Sequence, residues 1–383
     1  MPAEPFQINV PDSVLDDLRD RLARTRWPST VEGAGWDYGT DQAYLKDLLD
    51  HWRRDFDWRA QEHMLNGFYQ FKAQVDGFGL HFIHERGAGP EPLPLILSHG
   101  WPDSFWRFYK LIPMLTDPAR FGGDPSDAFD VVVPSIPGYG FSDQPRERGF
   151  TSARTASLFA RLMTEVLGYG RFGAHGGDIG RGITEALAQQ SGPLLVGIHL
   201  TDVWFGRVLN HPPDDLSEAE QAYREAGQRW QAQEGAYALE QSTKPHTLAA
   251  GLSDSPAGLA AWVVEKFRSW SDCGGDIERR FSKDELLTNL TIYWVTQTIG
   301  SSFLPYYENT QGVGQAPQGR IAVPTGVAIF PADTVPAPRE YGERLYNLQR
   351  WTEMPRGGHF AALEEPELLA EDIRAFFRPL RAG

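Results

Sequence analysis

From about residue 70 the chain alternates short apolar runs with helical stretches, and that rhythm admits few folds. Phe71 to Val75 and Leu80 to His84 read as a hairpin turning at Asp76-Gly77. Strands follow at Leu93 to Ser98, Phe129 to Pro134, Arg171 to Ala174 and Leu195 to Leu200. Helices fit Phe105 to Leu115, Ala153 to Leu167 and the stretch ending near Gln190. Such alternation predicts an α/β fold, a mostly parallel sheet with helices on both faces. The rhythm stops at about 203, and residues 203–310 read as helix without a good strand run. It returns with a strand at Pro324 to Pro331, a helix at Arg339 to Leu348 and a strand at Trp351 to Met354. A last helix fits Pro366 to Leu380. A helical block inserted before the penultimate strand is how a lid is added to such a sheet. The expected division is an arm over 1–70, a core over 71–202 and 311–383, and a lid over 203–310.

The arm reads differently from the core. Val14, Leu15, Leu18 and Leu22 recur at helical spacing, and Ser13 or Asp12 can cap that helix. Tyr44, Leu45, Leu48 and Leu49 mark one face of a second helix from Asp41 to Trp52. Trp27, Trp36, Trp52 and Trp58 are spread along the arm. Rings this large need partners, so the arm is expected to wrap another part of the chain.

Composition excludes several classes. With 383 residues, 41% of them hydrophobic, the chain can bury a large core and is not disordered as a whole. A formal charge of −15 argues against nucleic acid or an anionic membrane as partner. Cys273 is the one cysteine, so no intramolecular disulfide forms. It sits in a polar turn with no His nearby in sequence, which makes it a poor candidate nucleophile. The first ten residues have no basic stretch before an apolar core, and no long apolar run follows. The expectation is a soluble, cytoplasmic protein.

Four motifs carry chemistry. Gly176-Gly177-Asp178-Ile179-Gly180 falls between a predicted strand and a predicted helix. That is the setting of a nucleophile elbow, a sharp turn that needs small residues on either side. Asp stands at the nucleophile position, and no Gly-x-Ser-x-Gly occurs. A carboxylate can attack an sp³ carbon and leave an ester on the enzyme. A helix-capping Asp in a glycine-rich turn is the plain alternative, and the other motifs decide against it. Gly357-Gly358-His359-Phe360 lies between the last strand and the last helix, where this kind of fold places its catalytic His. Asp333 follows the penultimate strand and would orient the imidazole. Asp202, after the preceding strand, is a second candidate for that acid. His99-Gly100-Trp101-Pro102 follows the third predicted strand, where an oxyanion-hole loop is expected. The backbone N–H groups of Trp101 and Ile179 would be its two donors.

With these motifs in place the chain resembles the epoxide hydrolases, in their microsomal-type branch, over nearly its whole length. Arg26-Trp27-Pro28, His99 to Pro102, Pro137 to Asp143, Gly176 to Gly180 and Arg356 to Pro366 match that branch in order and spacing. The resemblance implies an α/β-hydrolase fold with a helical lid and an N-terminal arm. It also implies an Asp–His–acid triad and two lid tyrosines that hold the epoxide oxygen. By local match these are Tyr237 and Tyr306, with Tyr307 an adjacent competitor. A phenol has a pKa of about 10, so it donates a hydrogen bond at neutral pH.

Three departures stand out. Ile179 occupies a position that is usually Trp in the family, the triad acid is Asp333 where the mammalian enzymes carry Glu, and their membrane-anchoring helix is absent. Together with a cation set that is mostly Arg, this suggests a soluble bacterial form.

A haloalkane dehalogenase would share the elbow Asp but needs an indole after it, which Ile179 cannot supply. A decayed, non-catalytic binding protein is disfavoured by the intact Asp178, His359 and acid. His81 and His84 would face opposite sides of a strand and make a poor chelate. No metal and no cofactor are expected; the partners are a small-molecule epoxide and water, and a homodimer is left open. Trp204, Phe205, Trp230, Trp262, Phe267 and Trp270 favour an apolar or aromatic epoxide. Xenobiotic breakdown and natural-product assembly both remain compatible with the sequence.

Overall fold

The structure is a computed structural model and describes residues 2–311 and 319–381. The strands are β1 Glu4–Phe6, β2 Gln70–Val75, β3 Phe78–Glu85, β4 Leu93–Ser98 and β5 Phe129–Pro134. They continue as β6 Phe172–Gly176, β7 Leu195–Leu200, β8 Ile321–Ile329 and β9 Tyr346–Glu353. Among the described residues they form one sheet, in the order β1-β2-β3-β5-β4-β6-β7-β8-β9. β1, β2, β3 and β5 pair antiparallel, and β5 onward through β9 the pairing is parallel. Every residue of β5, β6 and β7 is buried. Their mostly apolar character follows, because a parallel sheet is covered on both faces, with Asp130, His175 and His199 as buried polar exceptions.

Two registers decide where chemistry can sit. Ser98, the last residue of β4, lies opposite Gly176, the last of β6. Ile329 and Glu353 likewise end β8 and β9 side by side. The loops after these four strands therefore share one edge of the sheet. Sites in such sheets lie outside the carboxyl ends of the strands.

Helices from Gly206–Asn210 to Leu304–Gln311 occupy the interval between β7 and β8 and cover that edge. The arm closes over them. Trp52 is buried and donates its indole N–H to Thr291 Oγ1 at 2.9 Å. Thr40 Oγ1 donates to the Ala261 carbonyl at 2.7 Å, and Arg21 pairs with Asp254 at 2.6 Å. Trp58 is also buried, but Trp27 lies exposed beneath the Lys46 ammonium. The arm thus wraps the lid through some of its rings and not all.

Several expected boundaries move. The first helix is Asp12–Ala23 with Pro11 at its cap and no side-chain cap bond, so neither Ser13 nor Asp12 caps it. Phe105 to Leu115 splits into a 3-10 turn, Phe105–Phe108, and a helix, Leu111–Thr116. Pro113 has no N–H, so it fits only in the first turn of a helix. Ala153 to Leu167 is α-helical only over Ser152–Arg161, and Leu162–Val166 winds as a π turn. The helix from Arg339 ends at Leu345, because Tyr346 already pairs with Ile321 in the sheet. β1 and the helix Trp58–Leu65 carried too little periodicity to be read. Cys273 is a free, buried thiol that donates to the Arg268 carbonyl at 3.3 Å.

Candidate active site

Asp178 stands between β6 and the helix Ile179–Gln190 with φ 56° and ψ −127°. That backbone is strained for a non-glycine residue. It swings the carboxylate clear of the strand end. A Cβ on Gly180 would collide with the Ser98 carbonyl, and one on Gly100 would collide with the Asp178 carboxylate. Gly180 is thus demanded by close backbone approach, and Gly100 by the side chain of Asp178 that lies against it.

The loop after β4 reaches the same point. The Trp101 N–H donates to Asp178 Oδ1 at 2.8 Å. Three contacts hold that loop in place. Asn289 Nδ2 donates to the Pro102 carbonyl at 2.8 Å, and the Tyr293 hydroxyl donates to the Asp103 carbonyl at 2.7 Å. The Ile136 N–H donates to His99 Nε2 at 3.1 Å. Burial pushes His99 down to about 3, so it stays neutral and acts as a fixed acceptor. Trp101-Pro102 is a cis peptide bond. Ile179 opens the helix, so its N–H is one of those an α-helix leaves without an intrahelical partner.

His359 lies across the carboxylate. Its Nε2 is 3.6 Å from Asp178 Oδ2, and its Nδ1 is 2.8 Å from Asp333 Oδ1. Burial disfavours the imidazolium, but Asp333, by charge and hydrogen bond, and then Asp178 outweigh it. The pKa rises to about 9. Asp202 does not meet the imidazole. It accepts the Asp178 backbone N–H at 3.0 Å and Arg181 Nε at 2.8 Å, so it secures the elbow.

One residue that the sequence reading missed fixes the His loop. Glu364 accepts backbone N–H groups from Gly358 at 3.1 Å, Phe360 at 2.9 Å and Asp272 at 2.8 Å. The His359 N–H itself donates to the Trp270 carbonyl at 2.8 Å. The His loop and the lid loop are therefore clamped together through one buried carboxylate. Burial raises that carboxyl to about 7, against the pull of the backbone donors at Asp272 and Phe360. A Glu two residues from a Pro carried no signal of its own in sequence.

The lid supplies aromatic walls. The Tyr237 ring stacks on Trp101 with centroids 5.1 Å apart. Tyr306 meets Tyr237 at 5.9 Å and Trp101 at 6.0 Å. Tyr307 is half-buried on the same helix, whereas Tyr306 is the ring that joins this group. Burial first, then Asp178 for Tyr237 and its neighbour Tyr237 for Tyr306, raises both phenols above their usual range. Both therefore hold their protons at neutral pH. Trp270 packs edge-on against His359 at 5.2 Å, and Trp230 meets Trp270 at 6.3 Å. Trp204, by contrast, is exposed at the surface. Among the described residues no group of three or more His, Cys, Asp or Glu is arranged to hold a metal ion.

The fold and its elbow define the class: an α/β-hydrolase with a carboxylate at the turn. The profile described as "alpha/beta hydrolase fold" matches residues 94–251, and the one described as "Epoxide hydrolase N terminus" matches residues 3–108. A Stigmatella aurantiaca protein named as an epoxide hydrolase is 44% identical over 99% of this chain and 85% of its own length. Epoxide hydrolase 1 of Oryctolagus cuniculus is 38% identical over 97% of this chain and 88% of its own. The Aspergillus niger epoxide hydrolase structure superposes with a TM-score of 0.87 at 31% identity, over 99% of this chain and 97% of that one. The chain belongs to the epoxide hydrolase family. No described helix is long and apolar enough to cross a membrane.

The His359 shift has a sign that can be checked. Its folded value of about 9 lies above the usual 6.5, so the stability it contributes is present below about 6.5 and lost as pH rises through about 9. Asp333→Asn removes the largest raising cause. Urea unfolding should show a smaller loss of stability over that window in Asp333→Asn than in the wild type. Equal losses in the two proteins would contradict the pairing as the origin of the shift.

Proposed function

We propose that this protein hydrolyses an apolar or aromatic epoxide to a vicinal diol through a covalent ester on Asp178. The observation that carries the reading is the carboxylate of Asp178, held on one oxygen by a backbone N–H and faced on the other by His359. In the first step Asp178 Oδ2 attacks a ring carbon. A C–O bond forms and the ring C–O bond breaks; Tyr237 and Tyr306 both hydrogen-bond the departing alkoxide, and one of the two phenols gives it its proton. The Trp101 N–H stays on Oδ1, which becomes the ester carbonyl oxygen.

Ester formation removes the negative charge of Asp178. One of the causes that hold the proton on His359 then disappears, and the imidazole gives up its proton, which restores the phenol that ring opening had deprotonated. Neutral His359 takes a proton from water, and the water oxygen attacks the ester carbonyl carbon. The oxyanion at Oδ1 is met by the Trp101 and Ile179 N–H groups. Asp333 stabilises the imidazolium that forms. Collapse breaks the bond between the carboxyl carbon and Oδ2, the imidazolium returns its proton to the leaving alkoxide, and the diol departs with the oxygen that had been Oδ2. Trp270 and the stacked Trp101 and Tyr237 rings support an apolar or aromatic substrate frame.

The two half-reactions separate under mutation. His359→Gln keeps the nucleophile and the phenols but lacks the base. Intact mass spectrometry should find the protein heavier by the whole epoxide, with the adduct mapped to Asp178 and none in Asp178→Ala. Normal turnover in His359→Gln, or an adduct elsewhere, would overturn the assignment. Tyr237→Phe and Tyr306→Phe should each slow alkylation by roughly 10²–10³, the scale of losing one oxyanion-type donor in a dry site. An unimpaired Tyr306→Phe would transfer the role to Tyr307.

A further inference from the structure

Gln241 is a buried polar side chain with no part in the chemistry above. It is 0% exposed, and neither its amide oxygen nor its amide nitrogen has a hydrogen-bond partner. Nearly all buried polar groups are paired, and leaving one unmade costs about 1–3 kcal/mol. The residue lies on the helix Ala236–Thr243, whose two buried positions are Tyr237 and Gln241. Residues four apart leave a helix on the same face, about 6 Å apart along its axis. Tyr237 uses that face to stack on Trp101 and to meet Tyr306. Gln241 therefore leaves the helix one turn along from Tyr237, on the same buried face. Other buried polar atoms without a partner include His359 Nε2, which the reaction reserves for water, and the indole N–H groups of Trp101 and Trp270 around it.

We propose that Gln241 binds substrate, hydrogen-bonding a polar group carried about one helical turn from the epoxide ring. The proposal rests on the reading of Asp178 and the lid tyrosines as the epoxide-opening centre. An amide donates and accepts, so a hydroxyl, a carbonyl or an ether oxygen satisfies it. The aromatic lid packs the carbon skeleton, and Gln241 reads one oxygen on it. The substrate class is thus an epoxide with an oxygen function on its chain, rather than a plain hydrocarbon epoxide.

The test compares two matched series: terminal 1,2-epoxyalkanes, and 1,2-epoxyalkan-ω-ols in which the end methyl is replaced by hydroxyl. At the chain length that reaches Gln241, wild-type kcat/KM should favour the alcohol by about tenfold or more, since a site built to bond a hydroxyl rejects the analogue without one. Gln241→Met keeps the side-chain length without the amide, and Gln241→Leu is the second variant should Met disturb folding. Either should shrink the alcohol-to-alkane ratio by about the same factor. Wild-type protein that opens both series with equal kcat/KM at every length overturns the role of Gln241 and leaves the epoxide reading standing. A preference that survives both variants, or variants that slow both series equally, overturns it too, the latter marking a packing role. Wild-type protein that opens neither series overturns the role of Gln241, and the His359→Gln adduct experiment decides the epoxide reading separately.

Discussion

A carboxylate held clear of the sheet by a strained turn is the condition on which the rest of this site depends. Asp178 takes a left-handed backbone, and its Oδ1 rests on the Trp101 N–H. Both facts follow from β4 and β6 ending side by side. The turn and the loop approach so closely that Gly100 and Gly180 admit no Cβ. Asp202 adds a second tie, to the Asp178 backbone N–H, and is itself anchored by Arg181. Arg181 and Arg207 also share Glu185, and Glu185 accepts from the Tyr346 hydroxyl. The elbow is braced by a buried charge network before any substrate arrives.

The same dryness governs the proton inventory. Taken out of water, a charge persists only beside its opposite. His359 is held charged by two carboxylates, while burial drives His99 and His81 down to about 3, with Arg107 lowering the first further and Lys72 the second. Asp103 is pushed up to about 6 by burial even though it pairs with Arg107. Arg107 in turn lies over the Phe360 ring, 5.8 Å from its centroid. The loop around His99, the His359 loop and their counter-charges therefore form one packed unit. The lid belongs to that unit, since Glu364 and the Trp270 carbonyl tie it to the residues around His359. A lid so fastened keeps its aromatic walls in register with the Asp178 carboxylate.

What the sequence made legible was whatever lay in one contiguous stretch. The elbow, the His99 loop and the His359 loop each carry their constraint locally, in glycines that a sharp turn or a close approach requires. Asp333 was legible by its place after a strand, although Asp202 shared that property. Only three dimensions separate them: Asp333 reaches the imidazole and Asp202 reaches the elbow backbone. Tyr306 and Tyr307 are neighbours in sequence, and the turn of their helix decides which ring meets Tyr237. Glu364 and Gln241 were not legible at all. One works by accepting backbone N–H groups from two loops, the other by having no partner, and neither property has a sequence pattern. The same holds for Trp27, which had the composition of a buried ring and stayed at the surface.

The central claim is that Asp178 is the nucleophile and that its own oxygen enters the product. A single turnover in ¹⁸O-water, with enzyme in excess over epoxide, tests it most directly. The account predicts a first diol that carries ¹⁶O from the carboxylate, and a protein whose Asp178 peptide has gained ¹⁸O. Diol labelled with ¹⁸O in that first turnover, with an unlabelled Asp178, would mean direct attack by water and would contradict the covalent route.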